Sequence, residues 1–463
     1  MRKINSLIYG DMVLIPAFLI FSICLFLSGR IDLLLVVLNS AVLFIFFKTA
    51  RTFLVAIYTL ASFVFFQLPV LIGAFWNIYH PIHGFVNDFS LQQIFSQHEA
   101  LLYVLFYNIL LFTGYVFFKT IFSERPFGIL KYRMKMPDSK LLLNFLLIAI
   151  FTISIFAKIY LHRHGVYVML EKAQITPFLQ FFKALSQFNI LFLLICGYYV
   201  NKRIFRSLIF YAIYLAGIGL SLYLALLSGS RFQILLVLAI LIYNHRKFLL
   251  SHKVIAISFA IFLVIFMTLA FPALAQYRNY PGTSLVEAFE YSVYNMDDFK
   301  MRLLNIAVTR FNYIDILSRI IRTHSDGPGY RFDYIQNIIG LVPRAIWYSK
   351  PKIGIDLNRI GWELGFIGSH DRNTSVGLSV VGESYYELGY FGLLVSIFHA
   401  FLFYIIDIKF RYENVTCHAL YGMLALFIIS KDSFIAVVPG LIYTIFPAIL
   451  FTYLFNARVE ENT

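Results

Sequence analysis

Ser228-Gly229-Ser230-Arg231 heads an apolar run, Phe232 to Tyr243, of only twelve residues before Asn244-His245-Arg246-Lys247. Twelve helical residues rise about 18 Å, well short of a ~30 Å hydrocarbon core. The spacing therefore predicts an arginine below the membrane surface. Ser230 is a natural N-cap, and a helix starting there turns its free N–H groups and positive dipole end towards an anion beside Arg231. An arginine deep in a bilayer costs about 2.5–3.5 kcal/mol or more and normally faces a cavity. The plainer alternative is an arginine that snorkels from a longer, tilted helix. Arg278, in Gln276-Tyr277-Arg278-Asn279-Tyr280, closes the next apolar run and fits an anion contact or an interfacial anchor equally well. Pro343-Arg344, Trp347 and Lys350-Pro351-Lys352 place three cations beside an indole. Arginine offers bidentate oxygen contacts, lysine a point charge and tryptophan a stacking face, a set suited to a phosphate and a sugar ring. A solvated turn would have the same composition.

Gly368 to Gly392 carries the candidate proton acceptors. His370 is a candidate general base, because the unperturbed pKa of an imidazole lies near neutrality. Glu383, in Gly382-Glu383-Ser384-Tyr385-Tyr386, stands where the chain re-enters the membrane, and partial burial there would tune a carboxyl. Against these roles stand an exposed loop histidine and a carboxylate stabilised at a helix start. Arg372 adds a cation to this segment and Tyr386 a second ring for a sugar. His80 and His83 are spaced as a metal pair but lack a third ligand, so no metal and no cofactor is expected.

The elements that position these residues are membrane helices. The 463-residue chain is 60% hydrophobic and 13% charged, with a mean hydropathy of +0.77, which excludes a soluble class. Apolar runs predict an all-α integral membrane protein of about twelve transmembrane helices. They fall near 9–28, 31–47, 52–75, 100–118, 141–160, 177–200, 207–227, 232–244, 254–272, 388–408, 415–430 and 434–456. Residues 1–272 hold the first nine helices, 273–387 a long loop with amphipathic helices, and 388–463 the last three helices and a short tail. Overlapping that loop, Pro272–Ser375 is a long stretch that could not sit in lipid.

Charge sets the orientation. Of the 38 Lys and Arg, 19 fall in segments that an inward N-terminus makes cytoplasmic. Twelve more lie in the long loop, which is exempt from the positive-inside rule. Both termini are then cytoplasmic and the loop is periplasmic. The formal net charge of +14 invites nucleic acid, but no extended basic tail exists, so nucleic acid is not expected as a partner; membrane lipids are. The first span has no small-residue cleavage site and reads as retained. Cys24, Cys196 and Cys417 fall in separate spans and read as small core hydrophobes. Within the loop, Leu285–Arg322 predicts one or two amphipathic helices, Arg331–Val342 a short helix, and Leu357–Leu364 another.

Together these residues resemble the bacterial O-antigen polymerases, the Wzy-type oligosaccharide repeat-unit polymerases. The likeness rests on the architecture and on three stretches: Ser228-Gly229-Ser230-Arg231; Pro343-Arg344 with Trp347 and Lys350-Pro351; and Gly382-Glu383-x-Tyr385 with the following glycines. An Arg-x10-Gly pattern found in some members is absent from the loop. The resemblance implies a metal-independent, inverting membrane glycosyltransferase with a GT-C-like arrangement, embedded in the bacterial inner membrane. The donor would be a glycan on undecaprenyl pyrophosphate, and the acceptor a lipid-linked repeat unit. A chain-length regulator protein is a further implied partner. On this reading Arg231, Arg278, Arg344, Lys350 and Arg372 contact pyrophosphate, Trp347 and Tyr386 contact sugar, and His370 or Glu383 is the base. An O-antigen ligase shares the donor. A lipid-linked oligosaccharide flippase is the alternative from another class, and the long loop counts against it.

Overall fold

The computed structural model describes residues 22, 25–50, 52–76, 91–122, 140–164, 178–179, 182, 185–186, 188–201, 208–227, 231–279, 284–294, 312–324, 357–365, 377–409, 418–419 and 421–422. Every regular element among them is helical. Helix α1 is Ile31–Ala50, α2 Phe53–Ser62 and α3 Leu68–Trp76, with α2 and α3 joined through a π-turn at Phe63–Gln67. Next come α4 (Leu91–Ile121), α5 (Lys140–Arg163), α6 (Phe188–Asn201), α7 (Leu208–Leu227), α8 (Arg231–Ser251) and α9 (Lys253–Asn279). Short helices α10 (Leu285–Tyr294), α11 (Tyr313–His324) and α12 (Leu357–Glu363) precede α13 (Ser379–Leu388). A 3-10 turn, Gly389–Gly392, links α13 to α14 (Leu393–Tyr404), and a π-turn, Ile405–Lys409, follows.

Five segments among the described residues are long and apolar enough to cross a membrane: Ile31–Ala50, Phe53–Ile72, Gln97–Ile121, Leu208–Leu227 and Ser379–Ile408. The ninth span, expected over 254–272, extends to Asn279 as α9, and two others differ in ways that bear on the site. The tenth was expected from residue 388, yet the helical segment starts at Ser379 and takes Glu383 with it. Its polar residues turn to neighbouring helices rather than to solvent. The eighth was expected to be a twelve-residue stub, yet α8 has 21 residues and runs through Asn244-His245-Arg246-Lys247. The polar residues stay helical because the fold satisfies them. Asn244 donates from Nδ2 to the Leu193 carbonyl at 2.9 Å, and Arg246 donates to the Tyr243 carbonyl at 2.6 Å with its guanidinium 4.4 Å above the Tyr243 ring. A 21-residue helix rises about 31 Å, so the argument that a short helix sinks Arg231 into the bilayer falls. The expected spans at 9–28, 415–430 and 434–456 lie largely outside the described residues.

Helix directions follow from paired contacts. Along α4, Tyr103, Tyr107 and Tyr115 meet Ser384, His399 and Asp407 in ascending order, so α4 runs parallel to the α13–α14 segment. Small residues let the two backbones approach: a Cβ added at Gly114 would lie 2.8 Å from the Ala400 Cβ. Asn39 accepts from Asn108 at 2.8 Å, and the Phe46 ring meets Tyr115 at 5.3 Å, so α1 runs the same way. The α2–α3 segment runs opposite, with Thr52 at Asp407 and Tyr58 at Asn108.

In a second group, α5 to α8 pack as successive neighbours around Leu191–Cys196 of α6, where Cys196 is a buried free thiol, and α9 packs on α8 through Leu274. The two groups join where the Phe53 ring lies tilted against Tyr243, centroids 4.8 Å apart, and His418 bonds Tyr243 and Asn244.

Candidate functional site

Helix α13 concentrates polar groups in an apolar setting. Glu383, Ser384 and Glu387 are fully buried, and the two carboxyls sit one helical turn apart on the same helix. Ionisable groups inside a membrane helix are costly and mark functional positions by default. The helix starts at Ser379, whose φ of 61° is left-handed and whose hydroxyl accepts from the Gly382 N–H at 3.2 Å. It ends at Gly389, also left-handed (φ 56°), which donates back to the Tyr385 carbonyl.

Two helices enclose α13. On one side is α4, with Glu99, Tyr103 and Tyr107 spaced every four residues along one face. The Ser384 hydroxyl donates to the Val381 carbonyl at 2.7 Å, so at 3.0 Å from the Tyr103 hydroxyl it accepts. The Tyr103 ring meets Tyr385 edge-on at 5.0 Å, and Tyr390 donates to Glu99. On the other side is α11, capped by Asn312, whose Oδ1 accepts from the Asp315 N–H at 3.1 Å. Its apolar face, Ile314, Leu317, Ile320 and Ile321, is buried against α4 and α13. Its polar face carries Arg319, which pairs with Asp315 at 3.4 Å and donates to the Leu364 carbonyl at 3.1 Å. That arginine thus fastens the end of α12 to α11.

The glycines after Glu383 have physical reasons. A Cβ at Gly392 would sit 2.1 Å from the Ser384 carbonyl oxygen and 2.6 Å from the Tyr103 hydroxyl. The 3-10 turn can pass over α13 only without a side chain there. Gly392→Ala should therefore cost about 1–3 kcal/mol through overpacking, read as a lower thermal midpoint in detergent. An unchanged midpoint would mean that the turn does not press on α13.

Glu383 and Tyr386 are brought together on α13, Tyr386 with its ring buried in the apolar cluster shared with α11. Arg231 is the first described residue of α8. Arg278 is the penultimate residue of α9. The two helices are consecutive, separated by His252 alone, and Ile234 and Leu238 of α8 pack with Leu274 of α9. The hairpin therefore sets the backbones of Arg231 and Arg278 at the same end. Ser228, Gly229, Ser230, Arg344, Trp347, Lys350, His370 and Arg372 lie outside the described residues, as does the expected helix at 331–342. The short helix expected at 357–364 is α12; α10 falls within the stretch read as amphipathic, and α11 runs two residues past its end at Arg322.

Sequence reasoning passed over the α4 face and its partners. The signal was available, since Glu99, Tyr103, Tyr107 and Tyr115 keep helical spacing through an apolar run. His399, bonded at Nδ1 to the Tyr107 hydroxyl, and Asp407 were likewise unremarked.

Compared with protein-family models, curated proteins and solved structures, the chain gives no match.

Proposed function

We propose that this protein polymerises lipid-linked polysaccharide repeat units at the outer face of the bacterial inner membrane. It would transfer the growing glycan from undecaprenyl pyrophosphate to a sugar hydroxyl of a new lipid-linked unit. The observation that carries the reading is the α8–α9 hairpin, which gathers the Arg231 and Arg278 positions at one end. That end opens into the segment leading to Glu383, and no stretch of residues 280–378 is long and apolar enough to cross back. The arginine pair and the buried carboxyl thus share one side of the membrane.

Helix directions agree with this topology. Parallel α4 and α14 need an odd number of crossings between them, and α5 to α9 would supply five if each crosses once, as the sequence expects. Parallel α1 and α4 need the same, and the α2–α3 segment supplies one. With an inward N-terminus and a crossing at the span expected over 9–28, nine crossings make the Arg278 end of α9 the periplasmic end.

In the reaction the acceptor hydroxyl attacks the anomeric carbon, its bond forms as the bond to pyrophosphate breaks, and the configuration inverts. The proton passes to Glu383 or His370. Arg231 and Arg278 stabilise the charge that develops on the departing pyrophosphate, with Arg344, Lys350 and Arg372 in support. Glu383→Gln keeps shape and hydrogen-bonding capacity but cannot take up the proton. Polymer formation should fall about 10²–10⁴-fold with folded yield unchanged. Full polymer from this variant, with loss in His370→Ala, would move the base to His370. Deletion separates the ligase reading: cells lacking a polymerase display single-unit caps, whereas cells lacking a ligase display none.

A further inference from the structure

Helix α10 has an apolar flank with no role in the proposed chemistry. Its start is fixed by a reciprocal pair: the Ser284 N–H donates to Glu287 Oε2 at 2.8 Å, and the Glu287 N–H donates to Ser284 Oγ at 3.2 Å. Ala288 and Ser292 are buried, and Leu285 rests on the cluster of Ala225, Ile234, Leu238 and Leu274. Val286 and Val293, two turns apart on the same flank, are 67% and 49% exposed, and Tyr294 at the end is 83% exposed.

Depth says what faces them. Helix α9 holds 24 uncharged residues from Val254 to Tyr277, and Ile257, Ile261 and Phe262 stand exposed along it. That surface is suited to lipid. Leu274 lies 21 residues beyond Lys253, about 31 Å along the helix axis, which matches a ~30 Å hydrocarbon core. Leu285 packs at this level, so α10 begins at the boundary between acyl chains and headgroups. Tyrosine is at home at that boundary. The helix carries two glutamates, Glu287 and Glu290, and no lysine or arginine, so insertion of apolar side chains rather than attraction to anionic headgroups would hold it there.

We infer that α10 is an interfacial helix whose Val286–Val293 flank is seated in the phospholipid leaflet at the Asn279 end of α9. It anchors the start of the long polar segment to the bilayer surface. The inference needs α9 to cross the membrane but is independent of the transfer reaction.

Placing the photoreactive p-benzoylphenylalanine at 286 or 293 in the otherwise unchanged full chain tests it, in phosphatidylcholine proteoliposomes, with position 287 as control. Irradiation should attach phospholipid at 286 and 293 severalfold more than at 287, read by the mass of the adduct. A crosslink to protein at both positions would show the flank covered by the chain itself or by a second copy, and would overturn the inference. Absence of any adduct would mean that the flank faces water and would overturn it too. Polymerase activity in the same vesicles, present or absent, bears on the transfer reaction alone.

Discussion

Arg278→Ala should abolish polymer while leaving single repeat units. A pyrophosphate leaving group gathers negative charge as its bond to the sugar breaks, and a fixed guanidinium in a water-poor site stabilises that charge more than it stabilises the bound donor. Removing one such donor costs about 10²–10³-fold in rate. Arg231→Ala should behave alike, because α8 begins where α9 ends. The two losses should not multiply if both arginines grip one pyrophosphate. Arg278→Lys keeps the charge but loses the bidentate fork, so it should fall in between. A glycan ladder reads all three, and normal long chains from Arg278→Ala would remove this arginine from the site.

Asp407→Ala should destabilise the fold rather than the chemistry. This carboxylate is 1% exposed and accepts from the Thr52 hydroxyl at 2.7 Å, the Tyr421 hydroxyl at 2.8 Å and the Tyr115 hydroxyl at 3.3 Å. Thr52 also caps α2, accepting from the Val55 N–H, and the Tyr421 hydroxyl accepts from the Leu54 N–H at 2.9 Å. One carboxylate therefore ties α2, α4, the π-turn after α14 and the segment around Tyr421. Alanine would remove the acceptor of one buried hydroxyl, Tyr115, and two half-buried ones, Thr52 and Tyr421, and a buried group left unsatisfied costs about 1–3 kcal/mol. The expected loss is about 3 kcal/mol or more, seen as a clear fall in thermal midpoint in detergent. Asp407→Asn, which retains one acceptor oxygen, should lose less. Equal midpoints for alanine and the native residue would show that this carboxylate does not hold the end of the bundle together.

How far the sequence carried depends on what each segment is made of. Helices α5, α7 and α9 were legible because their apolar runs are long and bounded by charge, and hydropathy responds to just that. Helix α11 was legible from the spacing of Ile314 and Leu317 among charged neighbours. Helix α8 was cut short because Asn244 and Arg246 look like solvent-facing residues. Only tertiary structure reveals that Leu193 supplies a carbonyl for the one and Tyr243 a ring and carbonyl for the other. The same gap hid the start of the α13–α14 segment. Gly-Glu-Ser-Tyr-Tyr-Glu reads as polar until Tyr103 and α11 are brought against it. Residue type records what a side chain needs, whereas the fold decides whether the need is met inside the protein. For the candidate site, Glu383 and Arg231 were singled out from sequence, and the α4 face that packs against α13 was not.

The most direct test is reconstitution. Purified protein in proteoliposomes, supplied only with an undecaprenyl-pyrophosphate-linked repeat unit, should convert it into a ladder of longer lipid-linked glycans without added metal or nucleotide. Each transfer should release one undecaprenyl pyrophosphate. Movement of the intact unit across the bilayer with no change in its length would contradict the account and assign the chain to transport.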